Sequence, residues 1–225
     1  MITHHPEIIQ GTDAWHKLRL GRLTASSMNA VMSAKTLKPT KAEGHLFDLL
    51  AQRITQHVEP RYVSDDMLRG QADEIEARAL YSRHFAPVSE LGFITRDFGA
   101  FTIGYSPDGL VGDDGLIEVK SRRQKYQTET LISGAVPSEH VLQCQTGLMV
   151  SGRKWLDYVS YCAGMPMAVI RVWPDETVQA AIVEAASVFE EALADRLDAY
   201  RDALSADGAR LVATERRIEQ EMIGL

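Results

Sequence analysis

The chain contains little of what a cross-linked, cysteine-ligated or membrane-spanning protein requires. Only two of its 225 residues are cysteines, Cys144 and Cys162, and they form no CxxC pair. This excludes a disulfide framework, an all-cysteine zinc site and a four-cysteine iron–sulfur cluster. A bound metal ion would therefore have oxygen or imidazole ligands.

Long apolar runs are also missing. None approaches the roughly 20 residues that cross a bilayer, and the first residues lack the basic-then-apolar order of a signal peptide. We therefore expect a cytoplasmic protein without membrane association. With 45% hydrophobic and 24% charged residues, the composition is that of a globular chain, and the length predicts one domain over residues 1–225.

Excess positive charge is absent, since the formal net charge is −7. This value alone argues mildly against a nucleic-acid partner. The acidity is concentrated near the end, however: residues 161–225 contain 12 acidic and 6 basic residues, whereas residues 1–60 contain 5 acidic and 7 basic ones. Because binding depends on local charge, basic clusters elsewhere stay candidates for nucleic-acid contact.

Hydrophobic periodicity changes along the chain. Helical spacing of apolar residues predicts helices over 41–57, 65–85, 140–150 and 176 to about 206. Asp13 is the expected N-cap of a short helix that ends at Gly21. Short β-branched or aromatic runs predict strands over 91–95, 100–103, 116–120, 155–162 and 168–173. This order predicts an α/β or α+β fold in which helices flank a mixed central β-sheet.

The segments Ser106–Leu110 and Leu116–Lys120 contain the most informative side chains. Alternate residues of a strand share a face, so Glu118 and Lys120 lie side by side. Antiparallel pairing of 110–111 with 117–119 would bring Asp108 next to Glu118. Two carboxylates suit Mg²⁺, and a neighbouring ammonium can orient or deprotonate a metal-bound water, which predicts phosphodiester hydrolysis. The alternative is that these are ordinary turn residues and a solvated strand face.

Two basic clusters flank these segments. Arg122 and Arg123 belong to a basic run, 121–126, that directly follows Lys120. Further lysines and arginines at 17–22 and 35–41 surround a helix start at Thr24 and Ser26. Backbone N–H groups, hydroxyls and an arginine at such a start can bind a terminal phosphate, although either cluster could be solvated surface.

Taken together, the motifs resemble the bacteriophage lambda exonuclease family, the YqaJ-type viral recombinases. The matching blocks follow the family's order over residues 13 to about 160, and the N-terminal one is the most specific. They are DAWHKLRLG at 13–21 with Thr24-Ala25-Ser26, Gly70 with Glu74 and Ala77-Arg78, SPDGL at 106–110, EVK at 118–120 and QCQ at 143–145.

This resemblance implies one nuclease domain with a restriction-endonuclease-like core. It implies an exonuclease that depends on Mg²⁺, for which Mn²⁺ can substitute, and that digests one strand of linear double-stranded DNA from its 5′ end to mononucleotides. The remaining 3′ single strand would pass to a single-strand annealing protein. It also implies a homotrimeric ring through which the DNA threads.

The resemblance further implies the roles of individual residues. The metal ligands would be Asp108, Glu118 and the Val119 carbonyl, with Glu74 near a second metal, and Lys120 would be catalytic. The 5′ phosphate would be bound by Arg19, Thr24, Ser26, Ser106 and Gln143.

Five of these residues could instead have an ordinary structural role. Glu74 and Gln143 could be solvated, and Thr24 and Ser26 could be ordinary helix caps. Arg19 could pair with a nearby acid, Asp13 or Glu7.

Two other functions are compatible with the motifs. A restriction-like endonuclease would share the same metal site, but the sequence contains no recognisable segment for reading a target. A non-catalytic nuclease-fold DNA clamp would have no need for Asp108, Glu118 and Lys120 together. The segment between Lys120 and Gln143 contains no recognisable motif, and the role of the acidic C-terminal helix stays open.

Overall fold

The computed structural model describes residues 1–59 and 64–216. Its helices are α1 Asp13–Arg19, α2 Met28–Val31, α3 Glu43–Thr55, α4 Asp65–His84, α5 Gln124–Ser133, α6 Ser138–Ser151 and α7 Glu176–Ser205. A single 3₁₀ turn, Ala25–Ser27, precedes α2. Its strands are β1 Ile2–His5, β2 Val88–Ser89, β3 Phe93–Asp97, β4 Thr102–Tyr105, β5 Gly109–Val111, β6 Gly115–Ser121, β7 Trp155–Tyr161 and β8 Ala168–Val172.

The strands form two sheets. The larger has the order β2-β5-β6-β7-β8, and within it only β6 and β7 are parallel. The smaller is antiparallel, with the order β1-β3-β4. The predicted fold class, a mixed sheet flanked by helices, is confirmed. The separate smaller sheet was not predicted, because β1 is largely exposed and lacks the apolar alternation of a half-buried strand.

Helices cover both faces of the larger sheet. Leu116 of β6 belongs to the main core, which α3, α6 and α7 complete. Its neighbour Ile117 points to the opposite face, where it packs against Ala77 and Tyr81 of α4. The alternation of side chains along β6 therefore places this strand between α4 and the other helices.

The four long helices predicted from periodicity are present as α3, α4, α6 and α7, and two details differ. The N-cap of α1 is Thr12 rather than Asp13, because the Thr12 side chain accepts a hydrogen bond from the Trp15 N–H over 3.4 Å. Helix α5 was not predicted because its buried residues are the polar Gln127 and Thr130. Gln127 donates to the Ser160 carbonyl over 3.1 Å, so hydrogen bonds dock this helix. No helix within the described ranges is long and apolar enough to cross a membrane.

Candidate active site

A cleft of about 420 Å³ lies between α4, the 3₁₀ turn, α6 and the β5–β6 hairpin. It gathers nearly all the residues that the sequence singled out. The predicted residues in its lining are Arg19, Thr24, Ser26, Glu74, Ser106, Asp108, Glu118, Val119, Lys120 and Gln143. Side chains separated by more than 120 positions in the sequence thus share one site.

The β5–β6 hairpin brings Asp108 to β6. The expected antiparallel pairing is present, with Gly109 opposite Ile117. Asp108 directly precedes Gly109, and its Oδ2 accepts a hydrogen bond from the Val119 N–H over 2.6 Å. Adding a Cβ at Gly109 would bring it within 2.2 Å of the Val88 side chain, so glycine lets β5 pack closely against β2.

Glu118 is almost completely buried, at 1% exposure, which contradicts a solvated strand face. Three side chains donate hydrogen bonds to its carboxylate. Lys120 Nζ lies 2.7 Å from Oε1 and the Tyr105 hydroxyl lies 2.9 Å from Oε2. The side-chain amide of Gln143, on α6, also donates to Oε1. The carboxylate is therefore held by residues from β4, β6 and α6.

The electrostatics of the cleft are dominated by its carboxylates. Burial raises the pKa of Asp108 well above its usual range, and the negative charge of Glu118 adds to the effect. Burial also raises the pKa of Glu74, although Arg78 opposes this. For Lys120, burial alone would lower the pKa, but Glu118 and Asp108 outweigh it and the pKa is raised. The two carboxylates therefore favour the ammonium form of Lys120.

The chemistry of these ligands fits a hard divalent cation. Glu74, Asp108, Glu118 and the Val119 carbonyl offer only oxygen ligands, and the mutual repulsion of the carboxylates would be relieved by a cation. Across residues 1–59 and 64–216, however, three acidic side chains are not gathered into a preformed cluster. One reason is that Arg78, one helical turn away on α4, pairs with Glu74.

Arg19 lines the cleft beside a group of hydroxyls. Its guanidinium donates to Ser106 Oγ over 3.2 Å and to Ser26 Oγ over 3.5 Å. Thr24 Oγ1 lies 3.2 Å from Ser26 Oγ. No acidic side chain among the described residues pairs with Arg19, so the alternative ion pair with Asp13 or Glu7 is not present. A guanidinium that donates to hydroxyls and has no carboxylate partner among the described residues is suited to an anion.

Trp15, which contacts Ser106 and Arg19, was not predicted as a site residue. Its indole N–H donates to Ser106 Oγ over 2.8 Å, and its ring lies 4.4 Å from the Arg19 guanidinium. It therefore holds both partners in place. The sequence feature that could have identified Trp15 is its position in the block DAWHKLRLG at 13–21. Tyr105 was missed in the same way, although it directly precedes the SPDGL block.

Arg122 and Arg123 lie outside this cleft. The Arg122 side chain is only 10% exposed, because it contacts His140 Nε2 over 2.8 Å and Glu139 over 3.2 Å. Arg123 donates to Asp66 of α4 over 2.6 Å. The two arginines of the basic run that follows Lys120 are therefore engaged with acidic or histidine side chains.

A comparison with known protein families decides the identity of this fold. The family model of the YqaJ-like viral recombinase domain matches residues 14–154. The chain belongs to this family. The match includes every predicted site residue from Arg19 to Gln143 and ends before α7. The family resemblance inferred from the sequence is therefore confirmed.

Solved structures agree with the family. The alkaline exonuclease LHK-Exo from Laribacter hongkongensis is similar with a TM-score of 0.77 and 32% identity, over 86% of this chain and 98% of that protein. Its complex with dAMP matches equally well. A phage-related exonuclease from Haemophilus somnus 129PT shares the fold, with a TM-score of 0.60 and 12% identity over 81% of this chain and 98% of that one. No curated protein sequence matches. For this YqaJ-like domain, the matches support nuclease activity.

Proposed function

We propose that this protein is a Mg²⁺-dependent exonuclease that digests one strand of linear double-stranded DNA from its 5′ end to mononucleotides. The observation that carries this proposal is the shared cleft, which is lined both by buried Glu118 with Lys120 and by Arg19 with its hydroxyl partners. An anion-binding group beside a hydrolytic group favours attack next to a phosphorylated strand end. The relative that binds dAMP supports a mononucleotide product.

Asp108, Glu118, the Val119 carbonyl and Glu74 would hold Mg²⁺, for which Mn²⁺ could substitute. A bound divalent ion stabilises the charge on the scissile phosphate and lowers the pKa of a bound water. Binding it would bring Glu74 away from Arg78. The oxygen-only set is the support for this assignment.

Lys120 would be the catalytic cation. Its raised pKa keeps the ammonium charged, so it would orient the attacking water and stabilise negative charge as the phosphate reacts. Gln143 and Tyr105 donate to the Glu118 carboxylate and so restrict its rotation. They would act as positioning residues for the metal ligand.

Arg19 would bind the 5′ phosphate, together with Thr24, Ser26, Ser106 and Gln143. A guanidinium forms charge-assisted, bidentate hydrogen bonds with a phosphate, and the hydroxyls add further donors. This contact would select a strand terminus and place the first phosphodiester near Lys120. The complementary strand would remain as single-stranded DNA with a free 3′ end.

The proposal also includes the oligomeric state and the partner protein. We expect a homotrimeric ring around DNA and a single-strand annealing protein as the partner that receives the 3′ strand. Family membership supports both. Light scattering that shows a monomer at all salt concentrations would contradict the ring.

The test compares three substrates, with and without Mg²⁺: a linear duplex labelled at its 5′ ends, the same duplex labelled at its 3′ ends, and a closed circle. We expect early release of labelled mononucleotide only from the 5′-labelled duplex. Nicking of the circle would indicate an endonuclease, and binding without hydrolysis would indicate a clamp.

Substitutions then locate the activity. Lys120→Ala and Glu118→Gln should each reduce the rate by a factor of about 10²–10³ or more. Lys154→Ala is the matched control, because this lysine is 72% exposed and pairs with Asp114 away from the cleft. Near-normal rates for Lys120→Ala and Glu118→Gln would remove the proposed site.

A further inference from the structure

A second cleft, of about 470 Å³, lies where α4 meets the end of β6 and the start of α5. Four cationic side chains line it, and Asp73 is the only acidic residue in its described lining. The cations are Arg69, Arg122, Arg123 and Lys125. In an acidic chain, this concentration of positive charge indicates an anionic ligand.

Asp66 connects this basic cleft to the active cleft. It lines the active cleft, whereas both of its partners line the basic one. One carboxylate oxygen accepts from Arg123 over 2.6 Å and the other accepts from Arg69 over 2.8 Å. The carboxylate therefore bridges two guanidinium groups with separate oxygens.

This bridge is exposed to solvent. The side chains of Asp66, Arg69 and Arg123 are 51%, 43% and 65% exposed. Exposed ion pairs contribute little to stability and exchange readily with other anions. A phosphate offers two guanidinium groups the same kind of paired oxygens as this carboxylate.

The rest of the basic cleft is also open to an anion. Lys125 pairs with no acidic side chain in the part of the chain that the structure describes, and its ammonium group lies 5.5 Å from the centroid of the Tyr126 ring. Helix α5 begins at the cleft, and its first turn contains no acidic residue. Arg122 also lines the cleft, but Glu139 and His140 hold its side chain in place.

We propose that the basic cleft binds a backbone phosphate of the nucleic-acid strand whose end occupies the active cleft, and that Asp66 competes with this phosphate for Arg69 and Arg123. The inference rests on the proposed nuclease function and extends it by naming where the strand continues. Asp66 thereby weakens binding until a polyanion displaces it.

Equilibrium binding of a fluorescent, 5′-phosphorylated duplex without divalent metal tests this, with salt varied from about 50 to 200 mM. Arg123→Gln and Lys125→Gln should each weaken binding and reduce the slope of log K against log salt concentration by about one. Asp66→Asn should tighten binding about two- to five-fold, because Arg123 then has no charged competitor among the described residues and Arg69 retains only Asp73, 3.8 Å away.

Asp65→Asn is the matched control for Asp66→Asn. Asp65 is the neighbouring acid in the first turn of α4, is exposed, and has no ion-pair partner among the described residues. Asp65→Asn changes the net charge and the charge at the helix N-terminus by the same amount as Asp66→Asn, but it breaks no ion pair with an arginine. Its effect on binding should therefore be smaller. In the Arg123→Gln background, most of the gain from Asp66→Asn should disappear, since the two residues act on each other.

Two results would overturn the inference: a wild-type salt slope for both Arg123→Gln and Lys125→Gln, or no difference between Asp66→Asn and Asp65→Asn. Digestion of linear duplex in Mg²⁺, measured in parallel, separates this failure from failure of the proposed function. Normal digestion with unchanged salt slopes removes only the phosphate site. If the variants have altered salt slopes but the wild-type protein digests no DNA, the phosphate site in the basic cleft is supported and the proposed nuclease function is contradicted.

Discussion

The hydroxyl of Tyr105 donates a hydrogen bond to Glu118 Oε2 over 2.9 Å at the base of the active cleft, where each side chain is only 1% exposed. Lys120 and Gln143 share the other carboxylate oxygen. The orientation of the proposed metal ligand thus depends on a tyrosine at the end of β4. Such hydrogen bonds typically change metal affinity 10- to 100-fold.

Tyr105→Phe should therefore weaken Mn²⁺ binding about 10- to 100-fold while the fold persists, because the ring still fills its buried site. The free energy of unfolding should fall by about 1 kcal/mol. Titration with Mn²⁺, followed by magnetic resonance, measures the affinity. Tyr158→Phe is the control, because the Tyr158 hydroxyl is buried with no hydrogen-bond partner in the described chain. Equal Mn²⁺ affinities in both variants would contradict the positioning role.

Gly147 of α6 allows this tyrosine to pack closely. A Cβ at position 147 would lie 2.7 Å from Tyr105 Cζ. Gly147→Ala should lower the free energy of unfolding by about 1–3 kcal/mol and displace Tyr105. Gly70→Ala on α4 meets no atom within 4 Å and should raise stability by up to about 1 kcal/mol. Urea unfolding of both variants tests the contrast, and equal stabilities would refute the close packing.

Arg19→Ala should abolish the preference for a 5′-phosphorylated end. Charge-assisted hydrogen bonds contribute roughly 1.5–3 kcal/mol, which corresponds to about a 10- to 150-fold preference over a 5′-hydroxyl end. The measurement is the ratio of initial rates on the two substrates at fixed salt. Lys17→Ala, an exposed cation on the same helix, should leave the ratio unchanged. A wild-type ratio near one would show that the phosphate pocket has been placed wrongly.

His140 should make the protein sensitive to acid. Burial lowers the pKa of His140 to about 4, and the charges of Lys120 and Arg122 act in the same direction, whereas Glu139 opposes them. The unfolded chain has a pKa near 6.5 at this residue and so binds the proton more readily than the folded protein. Stability is therefore present above about pH 6.5 and is lost as the pH falls towards 4.

His140→Gln should remove part of this loss, on the order of 1–3 kcal/mol between pH 7 and pH 4. Urea unfolding across this range measures it, with the exposed His16→Gln as the control. The raised pKa values of Asp108 and Glu74 act in the opposite direction but are common to both variants. Parallel pH profiles for His140→Gln and the wild type would exclude His140 as the cause.

Much of the site was predictable because local periodicity determines it. Strand alternation places Glu118 and Lys120 on one face, and a short turn returns β5 to β6 so that Asp108 meets Val119. The long helices were predictable from the helical spacing of their apolar residues, although α4 leaves two of these residues, Leu68 and Ile75, exposed. The family was identified from blocks whose order along the chain is itself local information.

The tertiary structure decided which distant elements meet. No spacing in the sequence indicates that Gln143 of α6 reaches Glu118, or that Asp66 of α4 reaches Arg123. Helix α5 escaped prediction because it docks through the polar Gln127 instead of an apolar stripe. The periodicity of apolar residues in helices and strands reports only on neighbours within a few positions. Contacts between positions far apart in the chain are set by the packing of helices against sheets, which this periodicity does not specify.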